Sequence, residues 1–240
     1  MAVKRSQSAG RMLSVFEAIA ARQPVGVSAL ARDLRADKSA VQRDLMTLAD
    51  AGWIRPAPGH AGQWELTLRI LTLAHTPHSS NDLRRRARPV LEGLRSQTGE
   101  TAYLTVPDGG RFVVIDAVES PQVLRMVPPV GLVVPMQGSA TARAVLPWLD
   151  ASEQARLLGR QPDAALQAEF AATRRQGYAV NDGDIVPEAF ALASAVLGGD
   201  DRPLGALVLT GPTERLGPER RQELGRQLVA AAQSLRPIAG

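Results

Sequence analysis

The sequence predicts an α+β chain in two parts. An N-terminal winged helix-turn-helix is followed, after a short linker helix, by a larger domain with a central antiparallel sheet. Three observations predict this. Residues 36–48 place Val41, Leu45 and Leu48 at i, i+4 and i+7, a helical core stripe. Further on, Pro107-Asp108-Gly109-Gly110 and Gly198-Gly199-Asp200-Asp201 interrupt apolar runs of strand length, as hairpin turns do. Charge is also divided unevenly. Residues 1–75 hold 10 Lys+Arg against 6 Asp+Glu, whereas residues 76–240 hold 18 of each. The whole formal excess of +4 therefore lies on the first third, the part expected to meet a polyanion.

The elements follow in order. Met1–Gln7 reads as a basic arm. Ser8 is expected to cap a helix through Arg22 with Met12, Phe16, Ile19 and Ala20 inward, and Gln23-Pro24-Val25-Gly26 breaks it. Ser28 is expected to cap a short helix over 29–35, burying Leu30, Ala31 and Leu34. Asp37 then caps the next helix after a tight turn, which makes a helix-turn-helix. The outer face of that second helix carries Lys38, Ser39, Gln42, Arg43, Met46 and Thr47, short, polar and cationic as a major groove requires. Trp53-Ile54-Arg55 and Gln63-Trp64-Glu65-Leu66 flank a Gly/Pro-rich tip and form the wing, with both tryptophans expected in its core.

Candidate contacts to double-stranded DNA are thus Ser28, Lys38, Ser39, Gln42, Arg43, Thr47 and Arg55. Gln42 suits adenine and Arg43 suits guanine. His60 at the wing tip reads as a solvated loop residue.

Leu68–Ala74 reads as a linker helix, and the domains are drawn at 1–66, 67–80 and 81–240. His75 and His78 have a metal-like spacing, but Pro77 interrupts any helix and no third ligand accompanies them, so no metal is expected. An amphipathic helix over 82–97 buries Leu83, Ala87, Val90, Leu91 and Leu94, and its Arg84–Arg88 run reads as a solvated face. Strands are expected at 101–106, 111–118 and 123–127. Helices follow at 139–149, 152–158 and 163–176, the last ending at Gly177. Asn181-Asp182-Gly183-Asp184 reads as an irregular acidic loop. A hairpin over 191–197 and 203–210 and a closing helix over 216–235 complete the domain.

Composition excludes several functions. There is no Cys, so there are no disulfides and no thiolate metal sites. The 3 His, at 60, 75 and 78, leave Ser139 and Ser194 without a base for nucleophilic catalysis, and no Walker-type loop occurs. No enzyme and no cofactor are expected. The charged N-terminus is no signal peptide and no apolar run approaches the roughly 20 residues of a membrane span, so a cytoplasmic protein without membrane contact is expected. An architectural DNA-binding protein is disfavoured by the large neutral second part.

Five stretches, taken together, carry a resemblance. Lys38-Ser39-Ala40-Val41-Gln42-Arg43, Thr98-Gly99-Glu100-Thr101, the run Gly131 to Ala144, Gln176-Gly177-Tyr178-Ala179 and Leu209-Thr210-Gly211-Pro212 resemble, in order and spacing, motifs of the IclR family of bacterial transcription regulators. The resemblance covers roughly residues 8–235. It implies a GAF-like effector-binding domain controlled by a small metabolite, often an aromatic or other organic acid derivative. It also implies a homo-oligomer, dimer or tetramer, acting as repressor or activator on a palindromic operator. By position it implies an effector pocket of Ser139, Ala140, Thr141, Asn181, Ala191, Val208 and Thr210, with Leu124 and Met126 as an apolar wall. Departures are Ala40 and Asp44 on the DNA-reading helix, Gln137 for a His, Ala142-Arg143 for Gly-Lys, Gly183-Asp184 for an acidic pair, Glu188 for a Gly, and Ala191 for a polar group. With Ala191 and Val208 the pocket is expected to be more apolar, and to take something larger or less polar than a two-carbon acid. An orphan regulator whose pocket is filled by its own Met126 and Met136 is the alternative.

Overall fold

The computed structural model describes residues 6–74 and 79–236. The His75 and His78 pair falls outside that range, as does most of the basic arm. The chain divides into two compact units, 1–77 and 78–240.

In the first unit α1 (Gln7–Arg22), α2 (Val27–Asp33) and α3 (Lys38–Asp50) pack around Val15, Ile19, Leu30, Val41, Leu45, Leu48 and Ile54. The cap of α1 is Ser6, whose hydroxyl accepts from the Ala9 amide. This shifts the helix one turn from the expected Ser8 start. Val15 rather than Ala20 is buried, because the stripe runs through 12, 15, 16 and 19. Ser28 caps nothing. The cap of α2 is Gly26, and Ser28 stands exposed in the first turn. The breaker before it is in part a strand: β1 (Val25–Gly26) pairs with β3 (Gln63–Leu66), which pairs in turn with β2 (Ile54–Pro56), giving a three-stranded wing. Trp53 and Trp64 pack against the unit's core, Trp53 edge-on to Phe16. A short helix, α4 (Arg69–Ala74), follows, and the Arg69 guanidinium lies 4.7 Å over the Trp53 ring.

The second unit is a six-stranded antiparallel sheet in the order β6-β5-β4-β9-β8-β7. Its strands are β4 (Thr101–Asp108), β5 (Arg111–Val118), β6 (Val133–Val134), β7 (Ala179–Asp182), β8 (Ala189–Leu197) and β9 (Pro203–Pro212). Side chains alternate between the faces. Ala102, Leu104, Leu192, Leu207 and Leu209 meet α5 (Ser79–Thr98) and α9 (Pro218–Ser234) through Leu91, Leu94, Leu224 and Leu228. Tyr103, Ala193, Ala206 and Val208 meet α6 (Ala140–Val145) and, through Phe170, α8 (Ala164–Gln176). A helix α7 (Ala151–Leu158), capped by Asp150, joins them. The α6 face is small on both sides: Ala193 and Ala206 on the sheet meet Ala140 and Ala144 on the helix. Such residues let helix and sheet backbones approach closely.

Two expectations are corrected here. Residues 123–127 form no strand, because Pro121 precedes them, Pro128 and Pro129 follow, and no neighbour pairs with them. The strand beside β5 is β6, ten residues later. The acidic loop at 181 begins as strand, since Asn181 and Asp182 pair with Ala191 and Phe190. The Arg84–Arg88 run is ion-paired: Arg84 and Arg88 reach the buried Asp116 at 3.6 and 2.9 Å, and Arg85 holds Asp82 at 2.6 Å.

Candidate nucleic-acid interface and effector cavity

On the first unit, Asp37 fixes the start of α3. Its Oδ1 accepts from the Ser39 hydroxyl at 2.6 Å and from the Ser39 and Ala40 amides at 2.9 and 3.1 Å. These bonds hold its carboxyl below the usual carboxylate range, the Ser39 hydroxyl contributing most. Lys38, Ser39, Gln42, Arg43, Met46 and Thr47 are exposed on the outer face. The hydroxyls of this face are engaged. Ser39 accepts from the Arg43 guanidinium at 3.3 Å, and Thr47 donates to the Arg43 carbonyl at 2.9 Å. Lys38 and Gln42 make no hydrogen bond or ion pair among the described residues, so they are free to reach outward.

Ala40 lies in the core rather than on this face, so its methyl replaces no contact to DNA. Asp44 is also buried, and its carboxylate accepts from Arg11 Nε at 2.7 Å and Nη2 at 3.3 Å. That pair pins α3 to α1. Arg55 is exposed on the wing and ion-paired to Glu65 at 2.7 Å across the strands, so a DNA contact by Arg55 competes with that bond. The His60 ring nitrogen turns back to the Pro58 carbonyl at 3.0 Å.

On the second unit a cavity of about 280 Å³ opens between β4, β8, β9 and the start of α6. Met126, Ser139, Ala140, Thr141, Asn181, Ala191 and Thr210 all line it. Val208 does not. It shares the face of Thr210, but lies one pair further along the strand, opposite Tyr103 and Ala193 and wholly covered. Leu124 is 66% exposed and lies outside the wall; only its carbonyl is used, accepting from Arg215 at 3.2 Å. Sequence reasoning missed Tyr103, Phe190, the Val127–Pro129 stretch and the Ile185-Val186 pair, which complete the lining. The one available signal was Tyr103, a lone phenol in a strand otherwise of small and aliphatic residues.

The cavity is apolar with a few polar groups. Ser139 caps α6, its oxygen accepting from the Ala142 amide at 3.1 Å. Asn181 donates to the Gly138 carbonyl and accepts from the Asp184 amide at 3.2 Å, so it holds two loops together. Thr210 donates to the Phe190 carbonyl at 2.6 Å. The Thr141 hydroxyl, in a residue 1% exposed, has no partner among the described residues. Burial pushes the Tyr103 phenol above its ordinary range, so it stays protonated. No lining residue is charged. Arg143, at the family's Lys position, is turned away to the Val180 carbonyl and Asp184, both at 2.9 Å, and to Glu169 at 3.5 Å. Ser194 donates to the Gly177 carbonyl at 2.8 Å, a structural bond. Among the described residues no group of His, Asp and Glu gathers as metal ligands do, and no helix is long and apolar enough to cross a membrane.

A winged helix-turn-helix on one unit and a cavity in a GAF-like unit define the class: a ligand-responsive, DNA-binding transcription regulator. Residues 75–236 match the family described as bacterial transcriptional regulator IclR C-terminal. The chain belongs to the IclR family. It is 28% identical to the acetate operon repressor of Salmonella typhimurium, over 95% of this chain and 88% of that protein. Among solved structures it is similar to a putative IclR transcriptional regulator from Silicibacter, with 28% identity, a TM-score of 0.76, and 95% and 94% of the two chains covered. An IclR homolog from Microbacterium hydrocarbonoxydans, complexed with 4-hydroxybenzoate, shares the fold at TM-score 0.80 and 18% identity, over 95% and 98% of the chains. The relatives are transcription regulators, not enzymes.

Proposed function

We infer that this regulator reads a palindromic operator through the exposed face of α3 as a homo-oligomer, and that a ring-sized organic molecule in the cavity of the second unit controls it. Lys38 and Arg43 meet phosphates and bases, Gln42 reads a base edge, and Ser39, Thr47, Ser28 and Arg55 add contacts. Effector binding favours one spacing of two recognition helices over another, and shifts DNA affinity only by its differential affinity for the two.

The observation that carries the effector reading is the cavity itself. It is open, mostly apolar, and holds a buried hydroxyl without a partner. At about 280 Å³ it exceeds the roughly 150 Å³ that accommodates benzene, so one substituted ring fits. Met126 lines this space without filling it and Met136 lies outside it, which disfavours a self-filled pocket. The 4-hydroxybenzoate complex of the Microbacterium homolog supports an aromatic acid derivative as the class. Homo-oligomerisation is supported by apolar side chains left outward on the first unit: Leu13 is 63% exposed, Leu68 76% and Leu73 53%. No cofactor is required, and a cytoplasmic setting follows from the work of a DNA-binding regulator.

The test is selection of an operator from random duplexes, followed by calorimetry with small keto-acids and with benzoate derivatives. Binding of the ring compounds and release of the operator are expected. Tight binding of keto-acids alone would refute the size and polarity assigned to the site. Sedimentation of the free protein reads its oligomeric state.

A further inference from the structure

We propose that the cavity selects an uncharged ligand, with a carbonyl or hydroxyl oxygen held by Thr141, Ser139 and Tyr103, over the carboxylate of the same skeleton. This rests on the reading of the cavity as the effector site.

The lining fixes the charge it tolerates. None of its residues is Lys, Arg or His. The one arginine on α6, Arg143, is committed outside the cavity to two carboxylates and a backbone carbonyl. A buried carboxylate without a countercharge keeps most of its desolvation cost, and a neutral oxygen bears little of it. The polar groups present are suited to a neutral acceptor. The Thr141 hydroxyl is buried, unpartnered and able both to donate and to accept. Ser139 accepts from the Ala142 amide and keeps its own proton to give. Tyr103 lines the same space and makes no hydrogen bond among the described residues. Both amide-like functions of Asn181 are used by the loops it joins, which leaves the hydroxyls to set the polar end. The remaining surface is hydrocarbon, from Met126, Leu132, Val134, Ile185, Val186 and Phe190. Esters, amides, lactones and phenols have this distribution; free acids do not.

Matched sets decide the matter: benzoate, methyl benzoate and benzamide, and the corresponding phenylacetic and 4-hydroxybenzoic sets. Each is titrated calorimetrically into the full chain and into Ala191→Trp, which fills the cavity. If only neutral species enter, an acid with pKa of about 4 is almost wholly excluded at about pH 7.5, and the neutral members bind tenfold to a thousandfold tighter. Affinity for the acid then rises about tenfold for each pH unit lowered toward that pKa. Thr141→Val keeps the side-chain shape and removes the unpartnered hydroxyl. It is expected to raise the Tm of the free protein while weakening the neutral ligand about three- to tenfold, a split that a purely structural hydroxyl would not give.

Acids that bind as tightly as their esters, with affinity flat over pH and lost in Ala191→Trp, would overturn the charge selection and leave the site in place. Binding that persists in Ala191→Trp, or no binding by any member, would overturn the site and the selection together.

Discussion

Arg215 joins three parts of the second unit, and its removal is the most quantifiable perturbation. Its guanidinium grips Glu100 bidentately, Nε to Oε1 and Nη2 to Oε2 both at 2.7 Å, and Nη1 reaches the Leu124 carbonyl at 3.2 Å. The Glu100 side chain is 5% exposed, that of Arg215 31%. In Arg215→Met the aliphatic stem stays but the buried carboxylate loses its countercharge, and the segment leading to the cavity wall at Met126–Pro129 loses an anchor. Breaking a buried pair from one side costs about 3–5 kcal/mol, and the partial exposure of Arg215 places the cost near the lower end, about 3. For a unit of this size each kcal/mol moves the midpoint by about 2–4 °C, so a fall of roughly 6–12 °C is expected by calorimetry on the full chain. Glu100→Gln in the same background should recover part of it, because the amide carries no charge to desolvate. A midpoint within about 2 °C of wild type would show that the pair contributes like an exposed ion pair, and would refute the burial reasoning.

Three further predictions concern other parts of the chain. Arg43→Ala should weaken operator binding by about 1–3 kcal/mol, or roughly 5- to 150-fold, and change non-specific binding far less. Equal losses, read by anisotropy, would make Arg43 a phosphate contact only. Asp37 has its carboxyl held low in the folded state, so its contribution is complete above the unfolded carboxylate range of about 4 and is lost as pH falls through the depressed value. Asp37→Asn should therefore flatten the acid limb of the first unit's stability, measured by circular dichroism against pH. At Gly205 an added Cβ would overlap the Thr105 carbonyl oxygen on the adjoining strand, where no rotamer relieves it. Gly205→Ala should cost about 3 kcal/mol in a denaturant melt.

Legibility in the sequence followed the range of the interactions. Helix α3 was readable because its stripe, its Asp37 cap and its polar face are all local, and the hairpins because their Gly-rich turns are local too. Asp44 was placed at the edge of the core stripe with a neighbour to pair with, but that neighbour, Arg11, is 33 residues away and no helical wheel names it. The two residues of β1 are a strand only because Trp64 and Gln63 lie beside them. Residues 123–127 have strand composition yet no neighbour to pair with, whereas Asn181 and Asp182 have loop composition and are paired by β8. The cavity's inner surface was legible where motif positions mark it, at 139–141, 181, 191 and 210. Val208 and Leu124 went astray because depth along a strand and the path of a Pro-bounded segment are tertiary properties. Ile185 and Val186 reach the cavity from a loop whose course is set by the ties of Asn181 to Gly138 and Asp184.

The central claim is that a ligand in the second unit's cavity controls operator binding by the first. The direct measurement is operator affinity, by fluorescence anisotropy, for wild type and Ala191→Trp across a titration of the tightest ligand from the matched sets. A several-fold shift in Kd for wild type and none for Ala191→Trp, with both proteins binding the free operator equally, is the predicted result. An equal shift in the two proteins would place control outside the cavity and contradict the account.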